Sequence, residues 1–227
     1  MKGFAGYLQA DAYSAYDGIY LESQSQIIEV ACWAHCRRYW YKARESAPAA
    51  AHHALAYITR LYEIERATAD VDPAKRQAAR QEHAVPLLAE LGRWLEEQTF
   101  LPKSLIGQAA TYTRNQWQAL NRYVEDGELA IDNNAAERAM RPVAIGRKNW
   151  LFVGSPNAGE RAAILMSLIA SCKLNSVEPW AYLKDLFTRL PAMSTASDLE
   201  ALLPDRWLAD NPTHRWTIAD RRKLERK

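Results

Sequence analysis

Hydrophobic positions along the chain follow two rhythms. Near the start, "GFAGYLQADAYSAY" sets Phe4, Tyr7 and Leu8 among small residues and runs through Asp11, which predicts a short strand followed by a turn. "IIEVAC", residues 27–32, is compact and β-branched and predicts a second strand. From Trp33 the pattern turns helical. Between about residues 48 and 126 no strand pattern occurs; Leu55, Ile58, Leu61 and Ile64 recur at helical spacing, as do Leu88, Leu91 and Leu95 with Trp94. That region predicts an all-helical block. Inside it, Asp72 reads as an N-cap with Pro73 at the first helical position, "LPKSL" as another helix start, and Gly127 as a helix end. Pro86 is expected to kink its helix.

Beyond Gly127 comes a short apolar step, "ELAI", then "IDNNAAERAMRPVAIGRKNW", then "NWLFVGSPNAGE", which reads as strand or loop with turn chemistry. "ERAAILMSLIASCKL" is apolar nearly all round and is expected to be buried; "EPWAYLKDLFTRL" is expected to bury a face through Trp180, Leu183, Phe187 and Leu190. From about Pro204 the tail, including "DRRKLERK", is polar and expected to be loosely held.

Composition narrows the classes. With 48% hydrophobic and 25% charged residues the chain is globular, of a length for one sizeable domain or two small ones. Its 29 Lys and Arg nearly balance 27 Asp and Glu, so affinity for polyanions has to come from local clustering. The longest apolar stretch, Ala162 to Cys172, falls short of the roughly 20 residues a bilayer crossing needs, and residues 1–20 lack a signal-peptide pattern. A cytoplasmic protein is expected. Cys32, Cys36 and Cys172 do not form a secreted disulfide framework, so reduced thiols are the default.

Two acids, Asp132 and Glu137, head a basic run of Arg138, Arg141, Arg147 and Lys148. On a structural reading, Asn134 and Glu137 form a capping-box variant, Glu137 pairs with Arg141, Asp132 favours the positive end of the helix, and Pro142 kinks or stops that helix. On a functional reading, Asp11 stands at the end of a strand, where α/β sheets gather ligands, and a carboxylate there joined by Glu137 could hold divalent ions for phosphoryl transfer. Oxygen ligands suit Mg²⁺ or Mn²⁺, and the basic residues would grip backbone phosphates. Spacing does not choose between the two. In "CWAHCRRYW", Cys32, His35 and Cys36 are soft ligands, but a structural zinc needs four, and a buried thiol with a hydrogen-bonded imidazole is the simpler reading. Arg37 and Arg38 are either a solvated face or phosphate contacts; Trp33, Trp40, Trp94 and Trp117 read as core.

Taken in order, "LQADAYSAY", "CWAHCRRYW", "IDNNAAERAMRPVAIGRKNWLFVGS", "GERAAILMSLIASCKLN" and "EPWAYLKDLF" resemble the transposases of the bacterial insertion sequence 66 family over roughly residues 4 to 190. The resemblance implies an α/β, mostly helical fold: a partial ribonuclease-H-like core of the DDE type with a mixed sheet, interrupted by a large all-helical insertion. The corresponding divisions are 1–47 for strands and first helix, 48–126 for the insertion, 127–190 for the remaining core with its Glu-bearing helix, and 191–227 for a C-terminal extension.

By position, Asp11 matches the family's second catalytic aspartate and Glu137 its glutamate, both as ligands of Mg²⁺ or Mn²⁺. Cys32 and His35 match a C-x-x-H element lying near the site in several DDE-type families. Arg138, Arg141, Arg147, Lys148, Arg37 and Arg38 would contact DNA. The partners implied are double-stranded DNA, at transposon ends and target, and a second copy of the chain, with no membrane and with association to the nucleoid. The pattern departs in one respect: "MKGFAGYLQA" contains no acid where a first aspartate is expected. A truncated, mis-started or decayed frame is the expectation, and with it the alternative of an inactive remnant serving as a DNA-binding or assembly module.

Overall fold

The computed structural model describes residues 3–12, 16–22, 26–150, 153–193, 199–217 and 220, with the Trp150 side chain left out. Two compact units divide it, residues 1–138 and 139–227.

In the first unit, β1 (Gly6–Gln9) and β2 (Ile27–Val30) form a parallel pair in which Gly6 faces Ile27 and Gln9 faces Val30. The connection between them carries α1 (Asp17–Glu22). Both strands lie where alternation and β-branching place them. The expected mixed sheet is, among the described residues, this parallel pair alone, and the architecture is mostly helical.

The helical block follows as α2 (Trp33–Lys42), α3 (Pro48–Ala67), α4 (Pro73–Ala79), α5 (Val85–Glu97), α6 (Leu105–Asn115) and α7 (Trp117–Asn121). Asp72 caps α4 by accepting from Lys75 N at 3.0 Å, and Ser104 caps α6 by accepting from Gly107 N at 3.1 Å, as the cap patterns predict. One core runs through all of it, from Trp33, Cys36 and Trp40 on α2 through Ile58 and Leu61 to Leu88, Leu91 and Leu95. The buried residues on α3 and α5 recur at three- and four-residue spacing, which is why the pattern is readable in the sequence. Trp94 and Trp117 pack against this core, so all four tryptophans are structural.

Pro86 follows a π-helical turn, Arg80–Ala84, inside an unbroken helical run from Pro73 to Glu97, and the wider turn makes room for the proline ring. That turn directs Arg80 inward, to 1% exposure. Its guanidinium donates to both oxygens of Glu65, at 2.8 and 2.6 Å, and to the carbonyls of Tyr123, Asp126 and Leu129, at 2.7, 2.8 and 2.8 Å. Arg76, one turn earlier, donates to the carbonyls of Thr68, Ala69, Val71 and Gly127. The loop beyond Val124 is therefore held by side chains. Gly127 lies so close to α4 that an added Cβ would fall 1.8 Å from the Pro73 carbonyl oxygen.

Helix α8 (Asn134–Trp150) runs through Pro142, so of the two outcomes expected there, a kink or a stop, the stop does not occur. Residues 138–142 are exposed, so water can take the Arg138 carbonyl that loses its partner, and the helix re-forms beyond it.

The second unit contains α9 (Pro156–Leu174), α10 (Pro179–Arg189) and α11 (Pro204–Asp210). Leu151 and Phe152 of the expected strand or loop lie outside the described residues; Asn149 ends within α8 and Pro156 onward is helical. Helix α9 is not buried. Among its described side chains only Cys172 is fully enclosed, on the side met by α10 and α11, while Ile164 is 55% exposed.

The face of α10 also differs from expectation. Tyr182 and Leu186 point inward with Ala181 and Leu183 beside them, leaving Trp180 and Phe187 outside. The tail is partly ordered in the same core: Pro204, Trp207 and Leu208 are buried, and Trp207 Nε1 donates to Asp185 at 2.7 Å. Residues 221–227, with most of "DRRKLERK", lie outside the described residues. No described helix is long and apolar enough to cross a membrane.

Candidate active site

The parallel pair ends with both strands at one edge. Ala10 N donates to Val30 O at 3.1 Å, after which Asp11 is exposed and Ala12 turns the chain through a positive φ of 59°. Two residues past β2 comes Cys32, buried, and α2 starts immediately with His35 in its first turn.

The loop before α8 is brought to the same edge by specific contacts. Gln9 Nε2, at the last position of β1, donates to Ala130 O at 2.7 Å. Trp33 N donates to Ile131 O at 3.1 Å, and Asn133 N donates to the Cys32 sulfur at 3.4 Å. Ile131 itself is sunk into the core of the unit. In consequence α8 begins over the start of α2, and Glu137 Oε1 lies 3.3 Å from His35 Nε2.

Asp132, not Glu137, does the capping. Its carboxylate accepts from Asn134 N at 3.1 Å, from Asn134 Nδ2 at 2.8 Å and from the Tyr62 hydroxyl at 2.8 Å. Burial and then the Asp132 bond hold the Tyr62 phenol well above its usual range. Glu137 is left pointing at His35, with 42% of its side chain exposed. Two polar atoms nearby, Asn133 Oδ1 and His35 Nδ1, are buried without a hydrogen-bond partner.

The thiols are not ligands in waiting. Burial pushes Cys32 up, and pushes Cys36 up to about 12 beside Thr113. Both stay protonated near neutrality. No group of three or more His, Cys, Asp and Glu able to hold a metal occurs among the described residues, around Cys32, His35 and Cys36 or around Asp11 and Glu137.

Ionisation of the buried Cys36 thiol is coupled to stability. A thiol that ionises near 9.0 when unfolded and near 12 when folded stabilises the fold fully below about pH 9 and progressively less above it. The stability advantage of the native chain over a Cys36→Ala variant is expected to be constant from about pH 6 to 8 and to shrink above about pH 9. Denaturant unfolding across that range checks this, and a constant difference up to about pH 11 is incompatible with it.

The profile of the family described as "Transposase IS66 family" matches residues 1–161, the whole span from β1 through α8, and that of the "IS66 C-terminal element" matches residues 167–204. The chain belongs to the IS66 transposase family. Three proteins of Sinorhizobium fredii (strain NBRC 101917 / NGR234) are similar to it: uncharacterized protein y4hP, 33% identical over 224 residues, uncharacterized protein y4qI, 36% over 212, and uncharacterized protein y4jD, 35% over 218. The matches cover 91%, 90% and 92% of this chain but 40%, 39% and 43% of those relatives, so the chain spans about two fifths of their length. No solved structure matches.

Against the residues expected of an IS66 transposase, the geometry is uneven. Glu137, His35 and Cys32 are gathered at one strand edge, and Asp11 leaves the adjacent strand at that edge. Arg37 and Arg38 are exposed on α2, with the Arg37 guanidinium 5.8 Å from the Tyr41 ring centre. Arg138, Arg141, Arg147 and Lys148 are exposed along α8.

Several residues that build the site carry no visible signal in the sequence. Gln9 can be suspected from its place two positions before Asp11. Tyr62, Glu65 and Arg80 cannot, because their partners lie 70, 15 and 43 or more positions away.

Proposed function

We propose that this IS66 transposase chain contributes part of the catalytic centre that cuts DNA strands at the ends of an insertion sequence and joins them to target DNA. Carrying this reading is the His35–Glu137 contact at the edge where Asp11 and Cys32 leave the two parallel strands. A ribonuclease-H-like core, of which the parallel pair and α8 are a portion, is part of the same proposal.

The donor set fits a hard divalent cation. Asp11 and Glu137 offer carboxylates, Asn133 Oδ1 is a buried oxygen in need of a partner, and the neighbouring sulfur is protonated. Asp11 and Glu137 would hold Mg²⁺ or Mn²⁺, which would supply charge neutralisation and an activated oxygen nucleophile for phosphoryl transfer. His35 steadies one Glu137 oxygen from behind, and Asp132, by capping α8 with Tyr62, fixes where the helix starts.

DNA is the substrate best matched by the exposed cations. Between Arg138 and Lys148 the chain has four basic residues and no acid, and between Trp33 and Arg44 it has four Arg or Lys and again no acid. Such clusters give polyanion affinity to a chain of small net charge.

The reading is tested by duplex binding across salt concentration. Affinity is expected to fall steeply as salt rises, and Arg141→Ala and Lys148→Ala should each flatten the log–log slope by about one, the share of a single neutralised phosphate. Salt-insensitive binding, or variants with an unaltered slope, would count against DNA as the substrate.

A further inference from the structure

An open groove of about 370 Å³ lies between Tyr39 of α2 and α6 with the loop before it, lined by Tyr39, Pro102, Gln108, Thr111, Tyr112 and Asn115. Its aromatic wall is Tyr39 stacked on Tyr112, with ring centres 4.6 Å apart and planes inclined by 22°. The wall is rigid because the helices behind it are locked together. Trp40 Nε1 donates to the Thr113 hydroxyl oxygen at 2.9 Å, the Cys36 sulfur lies 3.3 Å from the same oxygen, and that hydroxyl donates to Ala109 O at 2.7 Å.

The remaining lining is polar and uncharged. Gln108, Thr111 and Asn115 are exposed side chains that both donate and accept hydrogen bonds. One cation stands at the rim: Lys42 Nζ lies 6.0 Å from the Tyr39 ring centre. The Tyr112 hydroxyl is buried without a hydrogen-bond partner. Burial raises its ionisation, and Tyr39 follows His35, the partner of Glu137, by one turn of α2.

Each component suits a part of one ligand. An aromatic face stacks on a base, amide side chains meet a base edge, and the Lys42 ammonium at the rim meets phosphate. Paired DNA hides its base faces within the stack, so the base has to be unpaired. An acidic peptide would satisfy the ammonium and leave the aromatic wall unused; an amphipathic helix needs a longer apolar trough.

We propose that the Tyr39–Tyr112 groove receives one unpaired nucleotide of a DNA strand end held beside Asp11 and Glu137. This rests on the DNA-cutting role proposed above and names a binding site within it. A base seated there would hold a strand end in register with the carboxylates after the helix has frayed or been cut.

The test compares three labelled DNAs binding to the full 227-residue chain: a blunt duplex, the duplex with a short 3′ overhang, and the duplex with an abasic overhang that keeps the phosphates. The base-bearing overhang is expected to bind about tenfold more tightly than the abasic one, in line with the usual worth of base–aromatic stacking. Tyr39→Leu should abolish that preference and leave blunt-duplex affinity unchanged. Asn115→Ala, an exposed change that spares the packing, should reduce the preference by removing an amide that meets the base edge. Equal affinity for the two overhangs, or a preference that survives both substitutions, overturns the groove assignment while duplex binding upholds the broader reading. Failure of all three DNAs to bind overturns both.

Discussion

Glu137→Gln and Asp11→Asn are each expected to lower the rate of DNA strand cleavage by about a thousandfold or more, corresponding to about 4 kcal/mol of transition-state stabilisation. The comparison belongs in a transposition-competent form of the protein, by single-turnover cleavage of labelled end DNA with Mg²⁺ present. Both substitutions keep side-chain size and remove one negative charge. The amide introduced by Glu137→Gln can still hydrogen-bond to His35, so α8 should keep its place over the strand edge. DNA affinity should accordingly change little, because the cations along α8 and α2 are untouched. Cleavage at the native rate by either variant would remove the carboxylate pair from the chemistry.

Arg80→Ala is expected to have the largest effect on stability, about 3–5 kcal/mol, measured as a shift of the denaturant midpoint. Arg80 is 1% exposed and serves Glu65 together with three backbone carbonyls. Removing it leaves a carboxylate, 14% exposed, without its counter-ion and takes the guanidinium donor from three carbonyls, of which Asp126 O keeps its bond from Leu129 N. Glu65→Gln should be milder, since the amide oxygen still accepts one guanidinium hydrogen bond and the carbonyl bonds persist. A loss of under about 1 kcal/mol for Arg80→Ala would mean that the loop before α8 is held by other contacts.

The two predictions are linked through that loop. Arg80 and Arg76 fix residues 123–129, Gln9 and Trp33 fix 130 and 131, and the chain then enters α8 in time to set Glu137 against His35. The helical block thus helps to position the candidate site.

Much of this is legible from the chain alone. Strand positions before Asp11 and Cys32, the helical block, the caps at Asp72 and Ser104 and the buried tryptophans follow from local periodicity and local hydrogen bonding, which act between residues a few positions apart. Motif resemblance points to the family, and the family profile agrees over residues 1–161. Expectation and structure part where the outcome depends on partners. Helix α9 is apolar on every side, yet how much of it is covered depends on how many elements surround it. For α10 the spacing admits more than one inward face, and the packing of Trp207 selects Tyr182 and Leu186.

Residue order by itself determined which segments became strand or helix, where several helices start, and to which family the chain belongs. Only the tertiary structure decided that Asp132 caps α8 and frees Glu137 for His35, and that Arg80 turns inward instead of facing water. Those outcomes depend on hydrogen bonds between residues far apart in the chain, whose cost of closure is repaid only once the core has brought them together.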